Sequence, residues 1–238
     1  MSNFEAIILA AGRGSRLGEL GESVPKGLVE IGGEALVVRS VEMLKRNGAS
    51  RVILVAGHLE EKYSNLFHGD PLVKLVSNPR YGETGSLESL RLGLLHSTQA
   101  RTILVLDSDI IYEERGLRSL LDVPATSILT SGITRSGDEV WVVSNDYLVR
   151  EISKTPSQPG EELSEFVGIS RLESPWPEQI IQLCEVELDS EFMEYEEAFN
   201  WLASKWPLSV CLSQQLIWSE IDTPEQLEVA LRLFGDPT

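Results

Sequence analysis

Short apolar runs alternate with amphipathic stretches over the first half of this chain. Apolar runs of about five residues that are rich in β-branched side chains and flanked by turn or charged residues are typical of buried parallel strands. They predict strands at Ala6–Ala10, Arg51–Ala56, Val73–Ser77 and Thr102–Leu106. Apolar residues at helical spacing predict helices at Ala35–Asn47, Leu59–Phe67 and Leu87–Leu95, the first of which ends at Gly48. This alternation indicates βαβ units and a parallel sheet.

The pattern changes from Ser127 to Ile152. Residues 141–152 (WVVSNDYLVREI) predict a hairpin with its turn at residues 144–146, and a Pro- and Gly-rich linker follows at 155–162. Beyond the linker we predict a strand at 165–172, helices at Pro177–Cys184 and Phe192–Lys205, and a late strand at Leu208–Leu212. We expect an α/β fold in a single domain, with a smaller lobe inserted after the fourth strand.

Composition narrows the class of protein. The 238 residues are 42% hydrophobic, which is enough for a sizeable core, and the net charge of −17 argues against nucleic acid or an anionic membrane as a partner. No apolar run approaches the ~18 residues that span a bilayer, and Glu5 interrupts a stretch too short for a signal peptide. Cys184 and Cys211 are isolated, which favours reduced thiols. We therefore expect a cytoplasmic protein; its oligomeric state cannot be read from the sequence.

A glycine-rich loop follows the first strand. Gly12 and Gly14 allow backbone N–H groups to approach phosphate oxygens closely, and Arg13, Arg16 and Lys26 supply positive charge nearby. No P-loop string exists in the chain, and a dinucleotide fingerprint would need glycine where Leu17 stands. An ordinary turn with solvated arginines is the alternative. The spacing favours a cradle for a nucleoside triphosphate.

Acidic residues follow the fourth strand. Asp107 and Asp109 should face the same crevice as the glycine-rich loop, because ligands bind at the carboxyl ends of strands in open parallel sheets. Mg²⁺ binds one or two carboxylates together with phosphate oxygens and water, whereas a solvated turn is the alternative. Far along the chain, Asp222 precedes a helix that Thr223 caps, and its carboxylate either binds the same metal or favours the helix dipole.

The strings LAAGRGSRL (9–17) and PKGL (25–28) resemble the signature of the nucleotidyltransferase superfamily, which has the nucleotide-diphospho-sugar transferase fold. The resemblance implies a Rossmann-like, mostly parallel sheet flanked by helices with a small inserted acceptor-binding lobe. It implies that a nucleoside triphosphate reacts with a phosphorylated acceptor and releases pyrophosphate, with Arg13 and Lys26 on the triphosphate. The string 220–225 (EIDTPE) is similar to the superfamily's second metal string, so that Mg²⁺ would be bound by Asp222 with Asp109 or Asp107.

Within the superfamily, the chain is similar to the LicC-like phosphocholine cytidylyltransferase group, which includes phosphonate cytidylyltransferases. Length, the pattern from Asn78 to Leu90 and the tail after residue 220 support this. The resemblance implies CTP as donor, Lys154 as a further catalytic phosphate-binding residue, and an acceptor site at Trp141, Tyr195, Glu196 and Glu197. The predicted nucleotide-binding residues are Ala10, Ala11, Gly12, Gly14, Ser15, Arg16, Asn78, Thr84, Gly85 and Ser86.

The acceptor remains open at this stage. The choline enzymes commonly carry an aromatic-containing segment where this chain has TGSLESL (84–90), so phosphocholine, 2-aminoethylphosphonate and ethanolamine phosphate are all candidates. The expected division is a nucleotide-binding part at about 1–125, an acceptor-binding part at about 126–215 and a metal-binding tail at about 216–238.

Two alternatives accompany this interpretation. A sugar-1-phosphate nucleotidyltransferase would use UTP, dTTP or GTP, but such enzymes commonly have R-L-x-P-x-T where this chain has residues 18–22 (GELGE). A catalytically inactive, nucleotide-binding regulatory domain is the second alternative, and it would have no reason to retain Arg13, Lys26, Asp109 and Asp222 together.

Overall fold

Nine strands form one central sheet in the residues that the computed structural model describes, which are 4–98, 100–155, 162–187 and 189–235. The strands of the structure are, in chain order, β1 (Phe4–Ala10), β2 (Glu30–Ile31), β3 (Glu34–Ala35), β4 (Ala49–Ala56), β5 (Val73–Ser77), β6 (Thr102–Asp107), β7 (Ile110–Tyr112), β8 (Ser127–Ser131), β9 (Trp141–Asn145), β10 (Leu148–Ser153), β11 (Glu162–Glu173), β12 (Ser209–Ser213) and β13 (Trp218–Glu220).

Helices connect most of these strands. The helices are α1 (Glu19–Ser23), α2 (Leu36–Arg46), α3 (Glu60–Leu66), α4 (Ser86–Leu95), α5 (Glu114–Asp122), α6 (Trp176–Val186), α7 (Tyr195–Ala203) and α8 (Pro224–Phe234). Single 3₁₀ turns occur at Ser15–Leu17, Lys26–Leu28 and Ser190–Phe192. In the described part of the chain, no helix combines the length and the apolar character needed to cross a bilayer.

The sheet has a parallel half and a mainly antiparallel half. Its order is β5-β4-β1-β6-β11-β8-β12-β10-β9, and the first four strands are parallel to their neighbours. The long strand β11 runs antiparallel to β6 and to β8, and its first residues also pair with β9. That additional pairing closes β11, β8, β12, β10 and β9 into a ring of paired strands. The α/β class predicted from the sequence is therefore confirmed, with a mixed sheet.

Helices cover both faces of the sheet. On one face, leucines of α4 and Phe199 of α7 pack against residues such as Ile7 of β1. On the other face, α2, α3 and α5 pack against residues such as Ile8. Strand β1 is buried along its whole length, so its side chains reach both layers and it reads as a continuous apolar run. A smaller cluster around Ile221 joins α8 to the β2–β3 hairpin and to β7.

Most predicted elements are present with small shifts. The hairpin turn consists of Asp146 and Tyr147 and overlaps the predicted turn at 144–146 only at Asp146; both residues take positive φ values, 51° and 60°, as tight hairpin turns require. The helix predicted from Phe192 begins at Tyr195, where Glu194 and Glu197 form a capping box. The linker predicted at 155–162 lies largely outside the described residues, which omit 156–161. The two cysteines are free thiols.

Candidate active site

A cleft of about 310 Å³ lies at the carboxyl ends of β1 and β6. Its walls come from the loop after β1, the turn that contains Lys26, the segment that leads into α4, the beginning of α7 and the junction of β13 with α8. This is the edge at which open parallel sheets bind ligands. The predicted glycine-rich loop and the predicted acidic residues therefore face a single cavity.

The glycine-rich loop forms one wall of the cleft. Ala10, Ala11, Gly12 and Arg16 line it, whereas Gly14, which is buried, and Ser15, which is exposed, do not. Gly14 has φ +66°, and an added Cβ would lie 2.9 Å from the Cγ of Lys26. Glycine at this position therefore allows the loop to pass directly over the lysine side chain.

Arg13 lies at the rim. Its guanidinium carbon is 5.6 Å from the centre of the Tyr81 ring, and Tyr81 lines the cleft. An added Cβ on Gly82 would lie 2.1 Å from a guanidinium nitrogen of Arg13, so glycine allows this close approach. The predicted triphosphate role of Arg13 remains a prediction, because the side chain does not line the cleft in this structure.

Three carboxylates converge at the floor of the cleft. Oxygens of Asp109, Glu220 and Asp222 all lie within 4.8 Å of one another. They meet because β13 pairs antiparallel with β7, opposite Ile110, and because the N–H of Ile221 donates to the carbonyl oxygen of Asp109 at 2.9 Å. The sequence analysis did not select Glu220. It lies two residues before Asp222, the spacing that places side chains on the same side of an extended segment.

Basic residues hold this carboxylate cluster. Lys26 Nζ lies 2.9 Å from Asp109 Oδ2 and also forms an ion pair with Asp222, which is completely buried. Arg16 forms ion pairs with Asp222 and with Asp138, joining α8 to the loop before β9. Burial, followed by the charge of Asp109, raises the pKa of Glu220 to about 8. The three carboxylates repel one another, and a cation between them would relieve that repulsion. Their oxygen atoms are ligands that suit a hard divalent ion such as Mg²⁺.

Asp107 and Asp109 have different surroundings, although the sequence left open which of the two would bind the metal. Asp107 accepts a hydrogen bond from the Tyr195 hydroxyl at 2.7 Å and is not among the three converging carboxylates. Burial, then the charges of Asp109 and Glu196, raises the pKa of Asp107 well above its usual value. Gly168, with φ +81°, leaves room for this carboxylate, since an added Cβ would lie 2.5 Å from Asp107 Oδ2. The geometry thus favours Asp109 as the metal ligand.

The segment predicted to contact the nucleotide also lines the cleft. Asn78, Thr84, Gly85 and Ser86 are all part of the wall. Asn78 is 1% exposed, donates to Ser89 Oγ at 3.0 Å and accepts from the N–H of Arg80 at 3.0 Å. Its side chain therefore holds the turn in place.

Ser86 begins α4 and bonds to the neighbouring helix α7. Its N–H and hydroxyl both donate to Glu194, the N–H at 3.1 Å, and its Oγ accepts the N–H of Tyr195 at 2.9 Å. Two helix N-termini are thereby joined at the cleft wall.

The predicted acceptor residues divide into two groups. Tyr195, Glu196 and Lys154 line the cleft, whereas Trp141 and Glu197 do not line it in the described part of the chain. Glu197 instead accepts the N–H of Glu194 at 2.9 Å as part of the capping box. Burial raises the pKa of Glu196 to about 7, and the positive charge of Lys154 opposes this rise.

Comparisons with known proteins agree with this geometry. Residues 6–147 match the model of the MobA-like NTP transferase domain. The chain is 30% identical over 180 residues to the choline-phosphate cytidylyltransferase of Streptococcus pneumoniae, an alignment that covers 74% of this chain and 73% of that protein. It is 33% identical over 129 residues to the CMP-5'-(3-aminopropyl)phosphonate synthase of Streptomyces rubellomurinus, covering 53% of this chain but only 20% of that longer protein.

A solved structure extends the likeness of fold to almost the whole chain. The CTP:phosphocholine cytidylyltransferase LicC from Streptococcus pneumoniae superposes with a TM-score of 0.79 at 22% identity, covering 96% of this chain and 98% of that one. The nucleotide-diphospho-sugar transferase fold expected from the sequence is thus confirmed. Together with the family match over residues 6–147, these findings identify the chain as a nucleotidyltransferase that belongs to the MobA-like NTP transferase domain family.

Proposed function

We infer that this protein is a Mg²⁺-dependent cytidylyltransferase that transfers CMP from CTP to a small phosphorylated or phosphonate acceptor with an amine-type head group. The observation that carries the proposal is the meeting of Lys26 with Asp109, Glu220 and Asp222 on the floor of the cleft. CTP is favoured over other triphosphates because the two relatives of this chain reported above carry a cytidylyltransferase or CMP-product name.

The reaction is a displacement at phosphorus. An oxygen of the acceptor phosphate or phosphonate attacks the α-phosphorus of CTP, a new P–O bond forms, and the bond to pyrophosphate breaks. Both reactants are anions, so the side chains must hold them in line and offset their charge. No protein nucleophile is required.

The cleft residues divide this work. Lys26 and Arg16 line the cleft and would bind phosphate oxygens of the triphosphate, and Arg13, whose guanidinium lies against the Tyr81 ring, would turn towards the same group. Lys154 also lines the cleft and would bind the acceptor's anionic group. Asp109, Glu220 and Asp222 would hold Mg²⁺, which when bound supplies positive charge for the α-phosphate and for pyrophosphate.

The proposed division of the chain follows the same pattern. The residues up to about 125 contribute the glycine-rich loop and Asp109, those from about 126 to 215 contribute Lys154 and Glu196, and the tail contributes Glu220 and Asp222. The parallel half of the sheet would bind nucleotide, and the ring formed by β11, β8, β12, β10 and β9 would bind acceptor.

Pyrophosphate release tests the proposal. We expect activity with CTP, Mg²⁺ and phosphocholine, ethanolamine phosphate or 2-aminoethylphosphonate, and we expect EDTA to abolish it. UTP, dTTP and GTP with glucose 1-phosphate form the arm for a sugar-1-phosphate enzyme. Activity confined to that arm would overturn the proposal. Lys26→Ala provides the inactive control that assigns the pyrophosphate to this protein.

A further inference from the structure

The cleft continues into a small recess of about 60 Å³ on the acceptor side. The recess shares Asp107, Lys154 and Glu196 with the main cleft, and Phe166 and Trp218 contribute apolar walls. An acceptor whose anionic end lies near Lys154 would direct its other end towards these walls. The chemistry of the recess therefore bears on which head group the acceptor carries.

Glu196 is unusual among the groups of this recess. Its Oε2 atom is buried and, within the described ranges, has no hydrogen-bond partner. A buried acceptor without a donor is unfavourable in the free protein, and a ligand that supplies the donor removes that cost. The neighbouring Asp107 already accepts the Tyr195 hydroxyl, so that among the described residues of the recess Glu196 Oε2 is the buried side-chain oxygen without a partner.

In the described part of the chain, Phe166 and Trp218 are the aromatic residues that line the recess, and three others that could complete a cage around a trimethylammonium group lie or pack elsewhere. Trp141 lines neither the cleft nor the recess in the described part of the chain. The Trp201 ring is covered by the Lys205 ammonium at 3.1 Å from its centre. The Tyr195 ring packs against Phe166 and Phe199. The recess thus offers a carboxylate that needs N–H donors more than it offers an aromatic cage.

We propose that Glu196 selects acceptors that carry a primary ammonium group over those that carry a trimethylammonium group. A primary ammonium donates an N–H to Glu196 Oε2 while the phosphate or phosphonate at its other end contacts Lys154. A trimethylammonium has the same charge but no N–H, so it leaves Oε2 without a donor. This inference rests on the proposed function and defines its acceptor class as zwitterionic aminoalkyl phosphates or phosphonates.

Ethanolamine phosphate and phosphocholine form the matched pair for a test, because they differ only in the methyl groups on nitrogen. Each is titrated calorimetrically into the protein with Mg²⁺ and a non-hydrolysable CTP analogue, and each is assayed for pyrophosphate release with CTP. Ethyl phosphate, which has no amine, measures binding of the anionic end alone. We expect ethanolamine phosphate to bind about 10- to 100-fold more tightly than phosphocholine.

Glu196→Gln tests the residue. We expect the variant to lose about 10- to 100-fold in affinity for ethanolamine phosphate and to bind ethyl phosphate as the unaltered protein does. Glu185→Gln removes one exposed carboxylate from α6, away from the cleft, and should leave both affinities unchanged. Circular dichroism and thermal unfolding establish that both variants are folded.

The outcomes separate this inference from the proposed function. Equal or tighter binding of phosphocholine, or an equal loss for all three compounds in Glu196→Gln, overturns the primary-amine assignment even if CTP is turned over. Selective binding of ethanolamine phosphate without pyrophosphate release from CTP overturns the proposed reaction but still supports the assignment of Glu196.

Discussion

Lys26 Nζ lies 2.9 Å from Asp109 Oδ2, although 83 positions separate the two residues in the chain. The lysine belongs to the 3₁₀ turn after Pro25, and the aspartate follows the end of β6. Asp222 joins them from the tail through a further ion pair with Lys26. The Lys26 ammonium is thus held between carboxylates from two other parts of the chain, one after β6 and one before α8.

Removal of either predicted triphosphate cation should abolish most activity. We expect Lys26→Ala and Arg13→Ala each to lower kcat/KM for CTP by about 10²–10³, because each removes a positive charge that offsets developing negative charge. Lys45→Ala, on the exposed face of α2, serves as the control. The measurement is steady-state pyrophosphate release, with circular dichroism for the fold. Full activity of Arg13→Ala would show that Arg13 stays against Tyr81 during turnover.

The carboxylate cluster predicts a change in metal requirement. We expect Glu220→Gln and Asp222→Asn to raise the Mg²⁺ concentration for half-maximal activity by about 10- to 100-fold, because each removes one charged ligand from the group of three. Activity is measured against free Mg²⁺ at saturating CTP. Glu225→Gln, an exposed residue in the first turn of α8, should behave as the unaltered protein does. An unchanged Mg²⁺ dependence in Glu220→Gln would remove that residue from the metal site.

Gly168→Ala should destabilise the fold and disturb the acceptor side. We expect a loss of about 1–3 kcal/mol in the free energy of unfolding, because φ is +81° and the new Cβ would meet the Asp107 carboxylate. Gly33→Ala is the matched control, with φ +76° and nothing within 4 Å of an added Cβ. Urea denaturation measures both. Equal losses in the two variants would mean that the contact with Asp107 costs nothing.

The acceptor dependence should vary with pH near neutrality. Burial raises the pKa of Glu196 to about 7, with Glu194 and Glu197 on its own helix adding to the rise and Lys154 opposing it. Below that pH the carboxyl is protonated and attracts an ammonium less, so kcat/KM for an amine acceptor should rise as pH increases through about 7. Glu196→Gln should lose this inflection. Its persistence in the variant would assign it to another group, Asp107 included.

We expect the carboxylate of Glu5 to contribute to the loss of folding stability at low pH. It is 2% exposed near the start of β1, and burial raises its pKa, but hydrogen bonds from Ser97 and Thr98 and the charge of Arg51 outweigh this and leave the pKa lowered. A folded-state pKa below the unfolded value means that the unfolded chain binds the proton first as pH falls. The stabilisation is therefore present at neutral pH and is lost as pH falls below about 4.5.

Urea denaturation at pH 7 and at pH 4 measures this contribution. We expect Glu5→Gln to lose less stability between the two pH values than the unaltered protein does, because glutamine does not titrate. Glu42→Gln, on an exposed part of α2, should lose as much as the unaltered protein. Identical pH dependence in Glu5→Gln would show that Glu5 contributes nothing to it.

The local elements were predictable where a run of residues carried its own pattern. The strands β1, β4, β5 and β6 are apolar over most or all of their length, and Thr223 caps α8 with its side chain as expected. The short strands β7 and β13 were not predicted. Each is three residues long and pairs with the other. The paired residues Tyr112 and Trp218 are 106 positions apart in the chain.

The site followed the same division. The glycine-rich loop, Lys26, the pair Asp107 and Asp109, and Asp222 could be chosen as candidates from the sequence, because strand-end patterns and the resemblance to the nucleotidyltransferase signature mark them. Glu220 could not be distinguished from a surface acid until β13 was placed beside β7. The different surroundings of Asp107 and Asp109 depend on Tyr195 and Gly168, which approach from distant strands and helices.

The amino-acid sequence by itself determined the α/β class, the order of the nucleotide half and the cleft edge at which its chemistry lies, because hydrophobic period and strand-end residues are local properties. The tertiary structure decided which carboxylates converge and which one accepts the Tyr195 hydroxyl. It also decided that Glu196 Oε2 is buried without a hydrogen-bond partner among the described residues. Those outcomes depend on distances between segments that are far apart in the chain, and such distances are set only when the strands of the sheet have paired.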